Sequence, residues 1–323
     1  MSSLVVFAPS PLLTVTAEPV GSAGEEIEEI HLHAGGQGFW VARMAALLGT
    51  DVTLCCALGG ESGAVLRGLI TRENVELLSV ESAASNGVYI HVRRDGSREE
   101  VARSDGGRLS RHETDELYGL ALSAALDAGT ALLTGVDPPE ILDSELYRRL
   151  AGDLRRNGVQ VIADLTGAPL AAALTGGLDL LKISEEELIA EGLTGGLGEE
   201  QLLEALDRLH ERGARTVLLS RAEQPALALD GGAGRYLKLA GPRVEALEPH
   251  GTGDSMFAAL GAALADRQPL RLALCLAMAA GCLNATRHGL GTGTRQEIER
   301  LSDHVEVAEL GAHVHVAARP SVP

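Results

Sequence analysis

Six consecutive residues, His250-Gly251-Thr252-Gly253-Asp254-Ser255, bring together the groups that phosphoryl transfer to an alcohol needs, and they run straight into the apolar stretch Met256 to Leu264. Two glycines let the backbone approach a ligand. The apolar run after them predicts a buried helix, so the turn stands at a helix N-terminus with main-chain amides left free. Such amides, at the positive end of the helix dipole, bind anions. Asp254 among them stays ionised and keeps an oxygen that can take a proton from a hydroxyl, the part of a general base. Positioning and charge neutralisation are most of what phosphoryl transfer demands. The same residues also spell an ordinary glycine turn with Asp254 or Ser255 as N-cap.

A second glycine cluster lies far upstream. Ala34-Gly35-Gly36-Gln37-Gly38-Phe39-Trp40-Val41-Ala42-Arg43 leads into a helix pattern, then a strand-like stretch from Asp51, then Gly59-Gly60-Glu61-Ser62-Gly63. Neither a Walker A loop nor a dinucleotide Gly-x-Gly-x-x-Gly is present, which removes P-loop kinases and Rossmann dehydrogenases. Together the two clusters resemble the ribokinase-like, phosphofructokinase-B-type carbohydrate kinases, most nearly the 1-phosphofructokinase and tagatose-6-phosphate kinase branch. That family's signatures have the forms Ala-Gly-Gly-Lys-Gly-x-Asn-Val-Ala-Arg and Asn-Pro-x-Gly-Ser-Gly-Asp-Ser-Met; here they read AGGQGFWVAR at 34–43 and EPHGTGDSM at 248–256.

The resemblance implies a three-layer α/β/α sandwich with a mostly parallel central sheet and a small β-sheet lid. It implies ATP and Mg2+ as cofactors, Asp254 as base, and the amides of Gly251, Thr252 and Gly253 as the anion hole. Lys182-Ile183-Ser184-Glu185-Glu186-Glu187 stands where the family has Lys-Pro-Asn-x-x-Glu, so Glu187 matches the glutamate that organises the magnesium shell through water. Lys182, Ser184, Ser220 and Arg221 fall on the nucleotide side, although Ser220-Arg221-Ala222-Glu223-Gln224-Pro225 has lost both glycines of the family turn. Ser184 followed by acids is also a helix-capping pattern. Arg221 reads either as a phosphate partner or as a surface cap.

On the acceptor side the resemblance points to Thr14, Gly35, Gly36, Gln37 and Trp40. Thr14 replaces an Asp, Gln37 a Lys and Trp40 an Asn, and Ala83-Ala84-Ser85-Asn86 lacks the arginine of the phosphosugar branch. These changes remove most hydrogen bonds to a polyol. They point away from fructose 1-phosphate and tagatose 6-phosphate, and the flat face of Trp40 suits a nucleoside-like acceptor unless the indole simply fills the core. The expected function is ATP-dependent phosphorylation of a sugar, sugar phosphate or nucleoside-like hydroxyl. The alternative is a non-catalytic, ligand-binding or regulatory descendant.

The elements that must position these residues follow from periodicity. Helices are predicted at 39–48, 64–73, 112–127, 143–156, 197–212, 255–265, 270–285 and 295–302. Strands are expected near 51–57, 75–80, 130–134, 159–164, 179–183, 215–220, 225–229 and 235–239. Strand and helix in alternation imply a parallel sheet covered on both faces. Alternating stretches around 14–33 and 86–103, the latter joined through Arg94-Asp95-Gly96-Ser97, predict the lid strands of one kinase domain spanning 1–323. The tail from Gly311 predicts an edge strand and a frayed end.

With 45 acidic and 27 basic residues the net charge is −18, which disfavours nucleic acid or an anionic membrane as partner. Any phosphate must therefore be held by local amides and a metal ion. Aromatics are only 2% of the chain, so the core must be close-packed aliphatic. Cys55, Cys56, Cys275 and Cys282 lie in apolar patterns without metal-ligand spacing and read as buried thiols of a cytoplasmic protein. His31 and His33, and His313 and His315, share strand faces but lack a third ligand, so solvent-facing positions are expected. The resemblance adds a homodimer through the lid.

Overall fold

The computed structural model describes residues 2–20, 27–94, 97–247, 250–287 and 293–312. The chain opens with β1 (Ser3–Phe7), sends out β2 (Leu12–Val20) and β3 (Ile27–Gly35), and returns through α1 (Gln37–Leu47) to β4 (Asp51–Gly59), α2 (Gly60–Ile70) and β5 (Glu76–Ser82). After a second excursion, β6 (Val88–Arg94) and β7 (Ser97–Ser104), come α3 (Arg111–Ala128), β8 (Thr130–Thr134), α4 (Glu145–Arg156), β9 (Gln160–Asp164), α5 (Gly167–Gly176) and β10 (Leu178–Ser184). Next are α6 (Glu185–Ala190), α7 (Glu199–Glu211), β11 (Ala214–Arg221), β12 (Gln224–Asp230) and β13 (Arg235–Ala240). The end is helical, α8 (Thr252–Ala265), α9 (Leu270–Ala285) and α10 (Arg295–Ser302), before the edge strand β14 (Glu306–Ala312).

Ten strands form the main sheet in the order β14-β13-β12-β11-β10-β9-β8-β1-β4-β5, parallel from β5 to β11 and antiparallel beyond. The parallel strands are apolar on both faces and bury them alternately. Leu4, Val6, Leu54, Cys56, Leu132 and Ile162 pack with the helices α1, α8 and α9, while Val5, Phe7, Cys55, Leu133 and Val161 pack with α3, α4 and α5. This period of two makes the three layers. Because β1 sits between β4 and β8, the chain winds outward from β1 in both directions. The crevice at the carboxyl ends of the strands opens at that point.

β2, β3, β6 and β7 leave the main sheet and form a second one, ordered β3-β2-β6-β7. Its two faces differ in chemistry. The rows Leu32–Val15–Ile90 and Ile30–Ala17–Val92 lie on one face, and His33–Thr14–Tyr89 and His31–Thr16–His91 on the other. On the second face Arg103, paired with Tyr89, reaches Asp137 in the loop after β8, so the polar face is tied down over the strand ends.

Three differences from the sequence reading have physical reasons. The alternation from Glu18 to His33 is not one strand but the end of β2 and most of β3. α5 was not expected, because Gly167, Pro169 and a run of Ala and Leu give no polar face to detect. α8 starts at Thr252 rather than Ser255, since Gly251 takes φ 73 and starts the helix itself. His313 and His315, the tail beyond Ala312, and Glu248 and Pro249 of the second signature lie outside the described residues.

Candidate active site

The first turn of α8 has Gly251 as N-cap and no side-chain cap, so the amides after Gly251 have no capping partner. Neither Asp254 nor Ser255 serves as the N-cap; Gly251 does. Ser255 instead donates to Asn284 Oδ1 at 3.1 Å, and Asn284 Nδ2 donates to the His250 carbonyl at 2.8 Å. A buried amide from α9 thus fastens the turn from behind. The Thr252 hydroxyl is buried without a hydrogen-bond partner, the state expected of a group that a ligand satisfies.

Beneath the turn lies a cluster of charges. Lys182 Nζ and Asp164 Oδ2 are 2.9 Å apart with side chains only 5% and 1% exposed. They are direct neighbours across the parallel strands β10 and β9. Asp164 Oδ1 is buried without a hydrogen-bond partner. A Cβ added to Gly253 would come 2.9 Å from Lys182 Nζ, so the ammonium lies against that peptide. Asp254, partly exposed as a residue, has a deeply enclosed carboxyl group. Burial, then the charge of Asp164, push its pKa up to about 7, with Lys182 opposing and Glu187 adding to the rise. Burial and Glu187 raise Asp164 as well, and Lys182 opposes; the Lys182 pKa itself is raised by Asp164, Glu187 and Asp254 against its burial.

The sequence pattern of the pfkB family carbohydrate kinases matches residues 13–297. This chain belongs to that family. The ATP-dependent 6-phosphofructokinase isozyme 2 of Escherichia coli K12 is 26% identical over 271 residues, 83% of this chain and 86% of that protein. The isozyme of the same name from Mycobacterium tuberculosis H37Rv is 29% identical over 289 residues, 87% and 83% of the two chains. Among solved structures, Escherichia coli phosphofructokinase-2 in complex with potassium superposes with a TM-score of 0.82 at 24% identity, covering 94% of this chain and 99% of that one. Arabidopsis thaliana ribokinase complexed with ribose and ATP gives 0.71 at 20%, covering 93% and 98%. The fold is ribokinase-like, and the chain is a carbohydrate kinase that uses ATP.

In this pfkB-family kinase the expected site residues fall in three groups. Gly251, Thr252, Gly253, Asp254 and Lys182 come together with Asp164 at the head of α8. Ser184 and Ser220 are neighbours at the ends of β10 and β11. Ser184 and Glu187 close a capping box on α6: Ser184 N donates to Glu187 Oε2 at 2.7 Å and Glu187 N to Ser184 Oγ at 3.2 Å. One Glu187 oxygen thus serves the helix while its charge is still felt at Asp164 and Asp254. Arg221 is committed to Glu185, 2.7 Å from Nε to Oε2.

On the acceptor side, Gly35 and Thr14 are brought together, since a Cβ on Gly35 would lie 2.5 Å from Thr14 Oγ1. Gly36 is the N-cap of α1 with φ 88. Trp40 is half-buried against the core, edge-on to Phe39 with ring centroids 5.4 Å apart, and lies 5.6 Å under the Arg43 guanidinium. That packing favours the indole as filler. Gln37 Oε1 accepts from Gly135 N at 3.2 Å, so its carboxamide is engaged with the body of the protein.

Three residues of the site, Asp164, Asn284 and Asn86, carried no motif. Asp164 and Lys182 are opposite charges in adjacent apolar strands, a signal visible only once the strands are paired. Asn284 is an amide near the end of an otherwise apolar helix. Asn86, 5% exposed, donates to the Pro11 and Ala57 carbonyls, each at 3.1 Å, and accepts from Gly59 N at 2.9 Å, knitting the root of the small sheet to the body. Two surface grooves, about 390 Å³ between α4 and α5 and about 670 Å³ beside the start of α3, border none of these groups.

Proposed function

We propose that this kinase transfers the terminal phosphoryl group of ATP to a hydroxyl of a sugar phosphate, with Asp254 as general base. The observation that carries the reading is the enclosed Asp254 carboxyl beside uncapped amides, its pKa pushed up to about 7 by burial and by Asp164. A base poised near neutrality is matched to taking a proton from an alcohol. Asp254 takes the hydroxyl proton as the acceptor oxygen attacks. The amides of Gly251, Thr252 and Gly253, with Lys182 behind them, neutralise the equatorial oxygens of the transferring group.

Among the described residues no group of three or more His, Cys, Asp or Glu could hold a metal ion directly. The chemistry that fits is magnesium held through water. Asp164 Oδ1 is a buried acceptor without a well-formed partner, and three carboxylates, Asp164, Asp254 and Glu187, face one ammonium. Glu187 and Asp164 are the residues to hold such an ion, which would supply charge neutralisation between the nucleotide phosphates.

For a phosphorylated acceptor the support is the polar face of the lid. In a chain of net charge −18 this face gathers His31, His33, His91 and Arg103. His33 and His91 are held below the usual imidazole range by burial and then by neighbouring cations. Arg103 itself is paired with Asp105 and Asp137, while neutral imidazoles each keep one N–H donor, and such donors suit the oxygens of an anion. Relatives whose names specify fructose 6-phosphate or fructose 1-phosphate kinases agree with it. The test is a coupled ATP assay across fructose 6-phosphate, fructose 1-phosphate, tagatose 1-phosphate, free sugars and nucleosides. Turnover confined to nucleosides would sink the sugar-phosphate reading, and ATP-dependent thermal stabilisation with no turnover would favour a non-catalytic descendant.

The opposite lid face supports a homodimer. Ile30 and Leu32 are 62% and 46% exposed in register with Ala17 and Val15, an apolar patch a second copy would cover. Leu32→Lys is expected to shift the mass in light scattering from dimer to monomer. Free thiols at Cys55, Cys56, Cys275 and Cys282 fit a cytoplasmic setting.

A further inference from the structure

The last turn of α9 is hydrogen-bonded to the approach and the start of α8 at three points. Ala285 O accepts from Leu247 N at 2.8 Å, Asn284 Nδ2 donates to the His250 carbonyl at 2.8 Å, and Asn284 Oδ1 accepts from Ser255 Oγ at 3.1 Å. Asn284 and Ser255 are each 1% exposed. One turn earlier, a Cβ on Gly281 would meet Met256 Cγ at 2.6 Å and Thr252 Cγ2 at 3.2 Å, so α9 lies directly on side chains at the start of α8. That close approach lets a side chain as short as asparagine reach the backbone ahead of the helix.

We propose that Asn284 is a positioning residue: it holds the peptide between His250 and Gly251 so that the Gly251 N–H faces the transferring phosphoryl group. The proposal rests on reading the α8 turn as the phosphoryl cradle. In a planar trans peptide the carbonyl and the N–H point in opposite directions. Fixing the His250 oxygen on α9 therefore turns the Gly251 N–H away from the packing of α9 on α8, where a ligand can meet it. Glycine takes either sign of φ, and Gly251 stands at φ 73, so its own backbone does not keep that peptide from turning over. Asn284 does, because the two ends of its amide differ: Nδ2 only donates and Oδ1 only accepts. With Ser255 Oγ on Oδ1, Nδ2 is left for the His250 carbonyl. A reversed peptide would set the Gly251 N–H against Nδ2, donor facing donor, and leave both buried without a partner.

Thermal unfolding with Mg2+ and ADP, with and without aluminium fluoride as an analogue of the transferring phosphoryl group, tests this. In the wild type the fluoride is expected to add several degrees to the rise in Tm that ADP gives alone. In Asn284→Ala that increment is expected to fall below about half while the rise from ADP alone is kept, because one donor to the phosphoryl oxygens is lost. For the same reason kcat on fructose 6-phosphate should fall about 10- to 100-fold, with KM moving less than about threefold. Asn284→Asp keeps the size of the side chain and the acceptor for Ser255, but it sets an oxygen against the His250 carbonyl and draws the Gly251 N–H inward. At pH 8 it should lose the increment at least as fully as Asn284→Ala. An increment restored by Asn284→Asp, or kept in Asn284→Ala despite a lower Tm of the free protein, would make Asn284 a packing residue only and overturn the proposal. A wild type with no fluoride increment would remove the phosphoryl cradle itself, and the role of Asn284 with it. If the wild type fails to phosphorylate fructose 6-phosphate, that acceptor fails, while the increments still decide the role of Asn284.

Discussion

Two helices, α1 and α8, begin side by side in the same way and to different ends. Each has a glycine N-cap at positive φ, Gly36 at φ 88 and Gly251 at φ 73, and neither has a side-chain cap. α8 has an acid in its first turn and α1 has none. Beneath α8 lies the end of a long side chain, Lys182 Nζ, held by Asp164. Beneath α1 lie Ala8 Cβ and Thr134 Oγ1, which would meet a Cβ on Gly38 at 2.2 and 2.7 Å. A glycine-rich helix start therefore has two separate uses. At α1 glycine lets a helix press onto a sheet, and at α8 it leaves amides and a carboxylate around a cation.

The comparison breaks most sharply at Asp254. Asp254→Asn is expected to lower kcat about 10²- to 10⁴-fold, and a loss below about tenfold would remove the base from α8. Because only the ionised carboxylate accepts a proton, wild-type activity should fall as pH drops through about 7. Asp164, Lys182 and Glu187 share the field, so that limb belongs to the cluster. The stability effect has the opposite sign. A carboxyl whose folded pKa is raised from 3.8 to about 7 binds a proton in the folded state that the unfolded chain releases, so its contribution is lost as pH rises through that window. The Tm of Asp254→Asn at pH 8 should accordingly equal or exceed that of the wild type.

One methyl group added to each helix start separates the two uses further. Gly38→Ala meets fixed atoms and should lose about 1–3 kcal/mol in urea unfolding through overpacking. Gly253→Ala meets only the end of Lys182, which can move. Its expected cost is a fall in kcat of about tenfold or more from the displaced ammonium, with the urea midpoint little changed. Equal stability losses at the two sites would erase the distinction between them.

Much of this arrangement was legible in the sequence, and the rest was hidden for definite reasons. The apolar strands and amphipathic helices follow their periods, and the two glycine signatures mark the starts of α1 and α8. The Asp164–Lys182 pair was hidden because its partners are 18 residues apart and meet only through strand register. The role of Asn284 depends on the packing of α9 behind α8, which no local pattern encodes. At Trp40 the sequence offered either a flat surface for an acceptor or a core filler, and the indole stands half-buried, edge-on to Phe39 and under Arg43. Ser184 and Glu187 were legible both as a capping box and as nucleotide-side groups, and the box is formed.

A third turn extends the comparison to the nucleotide side, with the smallest expected effect. Between β11 and β12 the chain reverses through Ala222 at φ 38, a left-handed conformation in a residue with a Cβ. Such a residue costs about 1–2 kcal/mol relative to its right-handed form, and glycine would escape that cost while adding chain entropy to the unfolded state. Ala222→Gly should therefore stabilise the protein by about 0.5–1 kcal/mol, read as a higher urea midpoint at unchanged m. What glycine does to nucleotide binding decides which of the two helix starts this turn resembles. An unchanged KM for ATP would make it a backbone device like Gly38. A lowered KM would mean that the Cβ keeps the nucleotide from amides it could otherwise reach, as the α8 glycines allow at the other end of the phosphates.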